Sequence, residues 1–220
     1  MSLLAKLRLV FSLGQGIKSL THGLTEKEAG LDPFRLFSEW FQHAKTSGVA
    51  LPEAMTLATA SKDGAPSARI VLLKSFDPRG FIFYTNYDSR KCRDLEENPC
   101  AALICHWTVL QRQVRIEGRV ERNSREESTE YFRTRPRGSQ IGAWASTQSA
   151  SLDSYDQLVR RAMEFEQNFK GQDVPLPPFW GGYIVKPTRI EFWQGRANRL
   201  HDRLLYEREG SDWKVTRLNP

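Results

Sequence analysis

The chain has 220 residues, 40% of them hydrophobic and 26% charged, which describes one globular domain with a sizeable core and excludes a disordered or fibrous chain. A formal net charge of +6, with 22 Arg among the 32 basic residues, permits an anionic partner and favours phosphate, whose oxygens match the guanidinium fork. The basic residues form no tail or stripe, which argues against nucleic acid, and no apolar run reaches the roughly 18 residues of a membrane span.

Residues 1–31 read as a leader broken by Gly14, Gly16, Gly23 and Gly30. Within it Leu3, Leu7, Val10 and Phe11 fit one helical face, so a short docking helix or a disordered arm is expected, and the absence of a cleavage site excludes a signal peptide. The domain proper spans 32–220. Asp32 and Pro33 are helix-start residues, Phe34, Phe37, Trp40, Phe41 and Ala44 recur at helical spacing, and Gly48 stops the helix. Strands follow at Met55–Ser61, Ser67–Phe76 and Phe81–Asn86, separated by the turns Lys62-Asp63-Gly64 and Asp77-Pro78-Arg79-Gly80. Ser89–Asn98 is a short helix, and Ala101–Trp107 and Val109–Arg122 are strands. In the second of these, Val114, Ile116, Gly118 and Val120 alternate with polar residues, which gives one buried face and one polar face. Ser124 and Glu127 form a capping box for a helix to about Thr134. Leu152–Lys170 is an amphipathic helix, and Val174–Pro178 is a stiff connector. Four strand-like runs close the chain: Trp180–Lys186, Arg189–Gln194, Leu204–Glu209 and Trp213–Leu218. The expected fold is mainly β with packed helices, a closed antiparallel barrel in one domain.

The sequence holds no GxSxG, HExxH, Walker or GxGxxG motif, and His22, His43, His106 and His201 form no metal-spaced pair. No metal is expected, and hard chemistry would have to come from a bound organic cofactor. Cys92, Cys100 and Cys105 contain no CxxC, so reduced thiols in a cytoplasmic protein are expected. Cations collect at element ends. Arg69 and Lys74 flank one strand. Ser89-Arg90-Lys91 puts two cations in the first turn of a helix, where the dipole prefers an anion, so a phosphate docks there or the charges are solvated surface. Tyr131, Arg135 and Ser139 converge at a helix end, either as a phosphate grip or as helix-end packing. The stretch Phe192–Arg203 leads from a strand through Gly195 into Arg199, His201 and Arg203, a loop suited to an anionic aromatic ligand.

These blocks, with Phe83–Asn86, Arg112-Gln113-Val114, Gln140–Trp144, Pro175–Gly182 and Glu191–Tyr206, resemble the pyridoxamine 5′-phosphate oxidase family from about Asp32 to Pro220. The resemblance implies an FMN-binding split barrel of Greek-key type, working as a homodimer with two FMN sites at the subunit interface. It implies that Arg69, Ile70, Val71, Leu72, Leu73, Lys74, Tyr84, Thr85, Arg90 and Lys91 hold FMN from one subunit, and that Gln113, Gln148, Ser149, Trp193 and Arg203 complete the site. By the same resemblance Lys74, Tyr131, Arg135 and Ser139 grip the substrate phosphate, while Arg199, Leu200 and His201 cover the pyridine ring, with Arg199 and His201 as the catalytic pair. The implied reaction is oxidation of pyridoxamine 5′-phosphate or pyridoxine 5′-phosphate by dioxygen to pyridoxal 5′-phosphate, with hydrogen peroxide as by-product and ammonia released from the amine. One region departs from the family: its leader often carries an Arg- and Tyr-containing motif, whereas here Leu7–Phe11 is followed by no Tyr before Tyr84. On the residues alone, a flavin-barrel reductase with another substrate, a non-catalytic flavin- or phosphate-binding module and an OB-like nucleic-acid binder stay open. The Arg199–Arg203 tail favours the oxidase, and the aromatic residues interleaved with a basic strand face that a nucleic-acid reader needs are missing.

Overall fold

The computed structural model describes residues 23–220, and the apolar face at Leu3, Leu7, Val10 and Phe11 lies outside the described residues. The first elements are α1 (Glu26–Ala29) and α2 (Pro33–Thr46). The Asp32 side chain accepts from Phe34 N at 2.9 Å, so α2 starts where the capping chemistry placed it. Its apolar face packs into the core: Phe37, fully buried, meets Phe41, Phe76, Phe81 and Trp107 at centroid distances of 4.8 to 6.0 Å. Leu24 and Ala29 are also buried, and the Tyr206 hydroxyl donates to Gly30 O at 3.0 Å, so the segment before α2 packs on the barrel as well.

The sheet among the described residues is antiparallel, built from β1 (Ala54–Ala60), β2 (Pro66–Leu72), β3 (Ser75–Asp77), β4 (Gly80–Asn86), β5 (Cys100–Trp107), β6 (Arg112–Arg122), β7 (Trp180–Gln194), β8 (Asp202–Glu209) and β9 (Asp212–Arg217). The order is β2-β1-β5-β6-β7-β4-β3, with β8 on β7 and β9 on β8. One face of each central strand fills a single core with Leu57, Leu103, Val114, Ile116, Ile190 and Phe192. Helices α3 (Arg90–Glu97), α4 (Arg125–Arg133), α5 (Arg137–Ala145) and α6 (Tyr155–Asn168) pack outside. Of these, α4 and α5 enclose a second apolar cluster with the connector: Phe132, Ile141, Val174, Leu176 and Trp180.

Four expectations are corrected. Ser67–Phe76 is not one strand: β2 ends at Leu72, and Leu73 N bonds to Glu53 O while Lys74 N bonds to Ile82 O, so the chain changes partner from β1 to β4 at that step. Trp180–Lys186 and Arg189–Gln194 are one strand, because the register with β6 slips at Thr188, between the pairs Glu117–Arg189 and Gly118–Pro187, and a bulge is where a strand tolerates proline. The stretch after Val109 is a 3₁₀ turn (Thr108–Leu110) and β6 begins at Arg112, after Gln111 in the left-handed region at φ 52°. The last long helix starts at Tyr155 rather than Leu152, because Ser154 is its cap, accepting from Gln157 N at 3.3 Å. Helix α5 was not anticipated: Pro136, Gly138 and Gly142 read as breakers.

Strand β7 is the spine of the molecule. Its first half, Trp180–Val185, pairs with β4, and its second half, Arg189–Gln194, pairs with β8, while β6 runs along both. The bulge makes this possible. A Cβ on Gly118 would stand 2.0 Å from Lys186 O. Gly118→Ala should therefore force the two backbones apart and destabilise the fold by about 1–3 kcal/mol or more. Thermal unfolding of the variant reads this directly, and a melting temperature equal to wild type would mean that the β6–β7 contact is loose.

Candidate functional site

A cavity of about 640 Å³ opens between the outer face of β2 and helices α3, α4 and α5. Ile70, Val71 and Leu72 form one wall, and Lys74 enters from the step between β2 and β3. Strand β2 is an edge of the sheet, and Ile70 is 64% exposed on it, an unusual position for a large apolar side chain. Leu73 is buried in the core and does not line the cavity.

Lys91 lies at the floor. It occupies the first turn of α3, is 8% exposed, and donates from Nζ to Gln148 Oε1 (2.7 Å), Ser89 Oγ (2.8 Å) and Thr85 Oγ1 (2.9 Å). All three acceptors are neutral. Ser89 holds the N-cap position of α3 but spends its side chain on Lys91 and Cys92 rather than on a helix N–H. Desolvation lowers the Lys91 pKa from the usual lysine value. The charged form therefore weakens the ligand-free fold, fully below that lowered pKa and progressively less as pH rises from it to the ordinary lysine value. Arg69 stands behind this floor. Its guanidinium bonds Thr59 Oγ1 and Ser67 Oγ, each at 2.7 Å, and lies 3.7 Å from Asp94, so it faces β1 rather than the cavity. Arg90 is exposed at the mouth of α3, and Ser149 follows Gln148 in the left-handed region at φ 70°.

The opposite wall is aromatic. Tyr84 and Tyr131 stack at 4.0 Å, and Trp180 lies nearly parallel to both at 5.5 and 6.2 Å. Gly182 makes room for this arrangement, since a Cβ there would stand 2.8 Å from the Tyr84 ring. Lys74 Nζ is 5.8 Å from the Tyr131 centroid. The Arg135 guanidinium rests on Trp180 at 4.7 Å. Its Nη1 is buried with no hydrogen-bond partner among the described residues, and burial lowers its pKa. Ser139, in the first turn of α5, completes this end.

The remaining predicted residues form a second group elsewhere. Gln113, Trp193 and Arg203 are direct cross-strand neighbours on β6, β7 and β8. The His201 ring lies 4.6 Å from that of Trp193, and Arg196 N–H donates to His201 Nδ1 at 3.1 Å. Arg203 bonds Glu191 at 2.7 Å, which raises its pKa. Asn198 and Arg199 are both left-handed, at φ 57° and 61°, and turn Arg199 and Leu200 to the surface. The first group meets β7 at Gly182, beside Tyr84, and the second meets it at Trp193. Eleven residue steps at about 3.3 Å each lie between them, roughly 36 Å of chain along β7. None of Gln113, Trp193, Arg199, His201 and Arg203 lines the cavity of its own chain.

Sequence reasoning missed Trp180 as part of the cavity wall, together with Asn86 and Ser146. Trp180 lay within a family-like block, but nothing local marked it as stacking on Tyr84. Among the described residues no group of three or more His, Cys, Asp or Glu could hold a metal, and no helix is long and apolar enough to cross a membrane.

This architecture defines a split barrel. A pyridoxamine 5′-phosphate oxidase-related, FMN binding protein from Nostoc punctiforme shares the fold, with a TM-score of 0.71 over 87% of this chain and all of that one, at 17% identity. PhzG from Burkholderia lata, solved in complex with tetrahydrophenazine-1-carboxylic acid, matches with a TM-score of 0.86 and 34% identity over 92% of this chain and all of that one. Residues 42–169 match the family model described as pyridoxamine 5′-phosphate oxidase, and residues 180–220 match the pyridoxine 5′-phosphate oxidase C-terminal dimerisation region. A protein from Rubrobacter xylanophilus named pyridoxine/pyridoxamine 5′-phosphate oxidase is 60% identical, covering 90% of this chain and 91% of its own length. One of the same name from Psychromonas ingrahamii is 53% identical over the whole of both chains. The chain belongs to the pyridoxine/pyridoxamine 5′-phosphate oxidase family, a family of oxidoreductases.

An anion seated on Lys91 would relieve its buried charge. Inorganic phosphate should therefore raise the melting temperature of the ligand-free protein, on the order of 2–4 °C for each ~1 kcal/mol of binding. Lys91→Met keeps the unbranched stem without the ammonium. It should shrink that rise while melting at or above wild type in phosphate-free buffer. An undiminished phosphate response would remove Lys91 from the anion site.

Proposed function

We propose that the protein is a homodimeric, cytoplasmic, FMN-dependent oxidase of pyridoxine 5′-phosphate and pyridoxamine 5′-phosphate, with dioxygen as acceptor and pyridoxal 5′-phosphate and hydrogen peroxide as products, the amine also consuming water and releasing ammonia. The observation that carries this reading is a cavity with two separate desolvated cations, Lys91 and Arg135, neither paired with a carboxylate among the described residues. Two phosphates in one cavity is what a phosphorylated cofactor beside a phosphorylated substrate requires.

The residues present fit FMN. Lys91, with Thr85 and Gln148 already converging on it, would take the cofactor phosphate, and the exposed Arg90 beside it would add a second cation. Arg69 adds positive charge from behind Thr59 without a direct bond. The backbone and side chains of Ile70–Leu72 and the ring of Tyr84 would flank the flavin. FMN held there would supply two-electron redox chemistry at the substrate C4′. Arg135, Lys74, Tyr131 and Ser139 anchor the substrate phosphate at the other end, which fixes the position of the reacting carbon through a rigid molecule.

The 36 Å of strand between the two residue groups supports the dimer. Gln113, Trp193, Arg199, His201 and Arg203 would reach the cavity of the partner subunit, and the exposed apolar face of β2 would be covered in the same contact. The match of residues 180–220 to a dimerisation region speaks for the same arrangement. His201 is best read as a clamp rather than a base. Its Nδ1 accepts from Arg196 N–H, so the neutral ring carries its proton on Nε2 and offers that atom to the substrate as a donor. Resemblance to PhzG raises a second substrate class, a tricyclic carboxylic acid. The two separated cation sites favour the phosphorylated substrate.

The purified protein should be yellow and should consume oxygen with pyridoxine 5′-phosphate but not with unphosphorylated pyridoxine. Equal turnover of both, or turnover of neither, would contradict the reading. His201→Asn should lose about tenfold to a hundredfold, divided between kcat and KM, and Arg199→Ala should lose more because a cation over the ring is removed. A fall of about 10²–10⁴ in kcat alone for His201→Asn would make His201 the base instead.

A further inference from the structure

Arg135 stands in a wall between two spaces. It lines the 640 Å³ cavity together with Trp180, and it also lines a second cavity of about 750 Å³ together with Phe132, Arg133 and Gln140. Two aromatic faces compete for its guanidinium, Trp180 at 4.7 Å and Phe132 at 5.5 Å. No carboxylate among the described residues holds it, so the choice of side rests on packing.

We propose that Trp180 is a positioning residue: its indole face holds the Arg135 guanidinium on the substrate side of this wall and so sets affinity for the substrate phosphate. The inference rests on the reading of Arg135 as a phosphate ligand. A guanidinium lying flat on an indole keeps its edge N–H groups free, which is the geometry a phosphate needs. Nη1 is buried with no hydrogen-bond partner among the described residues, so no protein acceptor holds that nitrogen.

Trp180 is itself held firmly. Arg125 donates to Leu176 O (2.8 Å), Pro177 O (2.9 Å) and Trp180 O (3.3 Å), stapling the proline-rich connector to α4 just before β7 begins. Phe132 meets the indole edge-on at 5.2 Å, and Tyr84 and Tyr131 fix its plane. The indole is 7% exposed. Its orientation is therefore set before any ligand arrives, and Arg135 inherits that order.

The test uses the FMN-loaded full-length protein, so that the Lys91 site is filled, with the variants Trp180→Leu and Trp180→Phe. Two quantities are read: KM against kcat for pyridoxine 5′-phosphate, and the dissociation constant of inorganic phosphate from its effect on melting. Trp180→Leu should raise both KM and the phosphate constant about tenfold with kcat changed by less than about threefold, and Trp180→Phe, which keeps an aromatic face, should recover most of the loss. FMN affinity, followed by flavin fluorescence, should stay within about twofold in both. Unchanged KM and phosphate binding in Trp180→Leu would overturn the proposal. So would failure of Trp180→Phe to recover, or a parallel loss of FMN affinity, which would mark a general structural role. A wild-type protein inactive on pyridoxine 5′-phosphate would instead overturn the oxidase reading, and the phosphate constants would still decide the role of Trp180.

Discussion

The length of β7 is the constraint on which the rest depends. A strand of this length, shared between β4 at one end and β8 at the other, gives the barrel its split and places two polar groups far apart. It survives as one strand because Gly118 and Pro187 meet at a bulge, where the absent Cβ gives room and a strand tolerates proline. Each end then does a different job. The β4 end, with α3, α4 and α5, builds a cavity. The β8 end presents Trp193, His201 and Arg203 on a face whose own cavity is elsewhere. In the proposed dimer a two-fold axis would join the cavity of one protomer to the face of the next, and assembly and activity would become the same event.

Inside the cavity, electrostatics are left incomplete on purpose of function rather than of stability. Lys91 is surrounded by neutral oxygens, and Arg135 lies on indole with one nitrogen unpartnered. Arg69, by contrast, is fully engaged by Thr59, Ser67 and Asp94 and has little capacity left for a ligand. A buried cation without a counter-charge weakens a fold, and a bound phosphate removes that weakness. Loading the cavity should therefore stabilise the protein more than the contact area alone suggests. Trp180, stacked with Tyr84 and Tyr131, lies against the Arg135 guanidinium, while Lys91 is held by Thr85, Ser89 and Gln148.

Parts of this were legible in the sequence. Phe34, Phe37, Trp40 and Phe41 announced α2 because a one-sided helix has a 3.6-residue period, and Ser124 with Glu127 announced α4 through its cap. Helix α5 was hidden because its glycines and proline oppose helix locally, and it forms because Ile141 and Ala143 bury against Phe132 and Trp180. The break at Leu73-Lys74 was hidden for a related reason: it is a change of partner strand, with no turn residue to mark it. At the site, residue types and family blocks gave the cast. Local pattern could not show that Arg69 faces away from the cavity, that Lys91 has only neutral neighbours, or that Trp180 backs Arg135. The separation of the two groups lies furthest beyond the reach of sequence, since it is a distance measured along a folded strand.

The claim that one site is built from two chains is tested most directly by hybrid dimers. One chain carries Lys91→Met and Arg135→Ala, the other Arg199→Ala and His201→Asn, and each alone forms an inactive homodimer. In a purified hybrid, one of the two sites receives only wild-type residues. The account predicts about half of wild-type activity per hybrid dimer, or about a quarter after random mixing of equal amounts. A hybrid as inactive as its parents would contradict it, and would mean that both groups serve a site within their own chain.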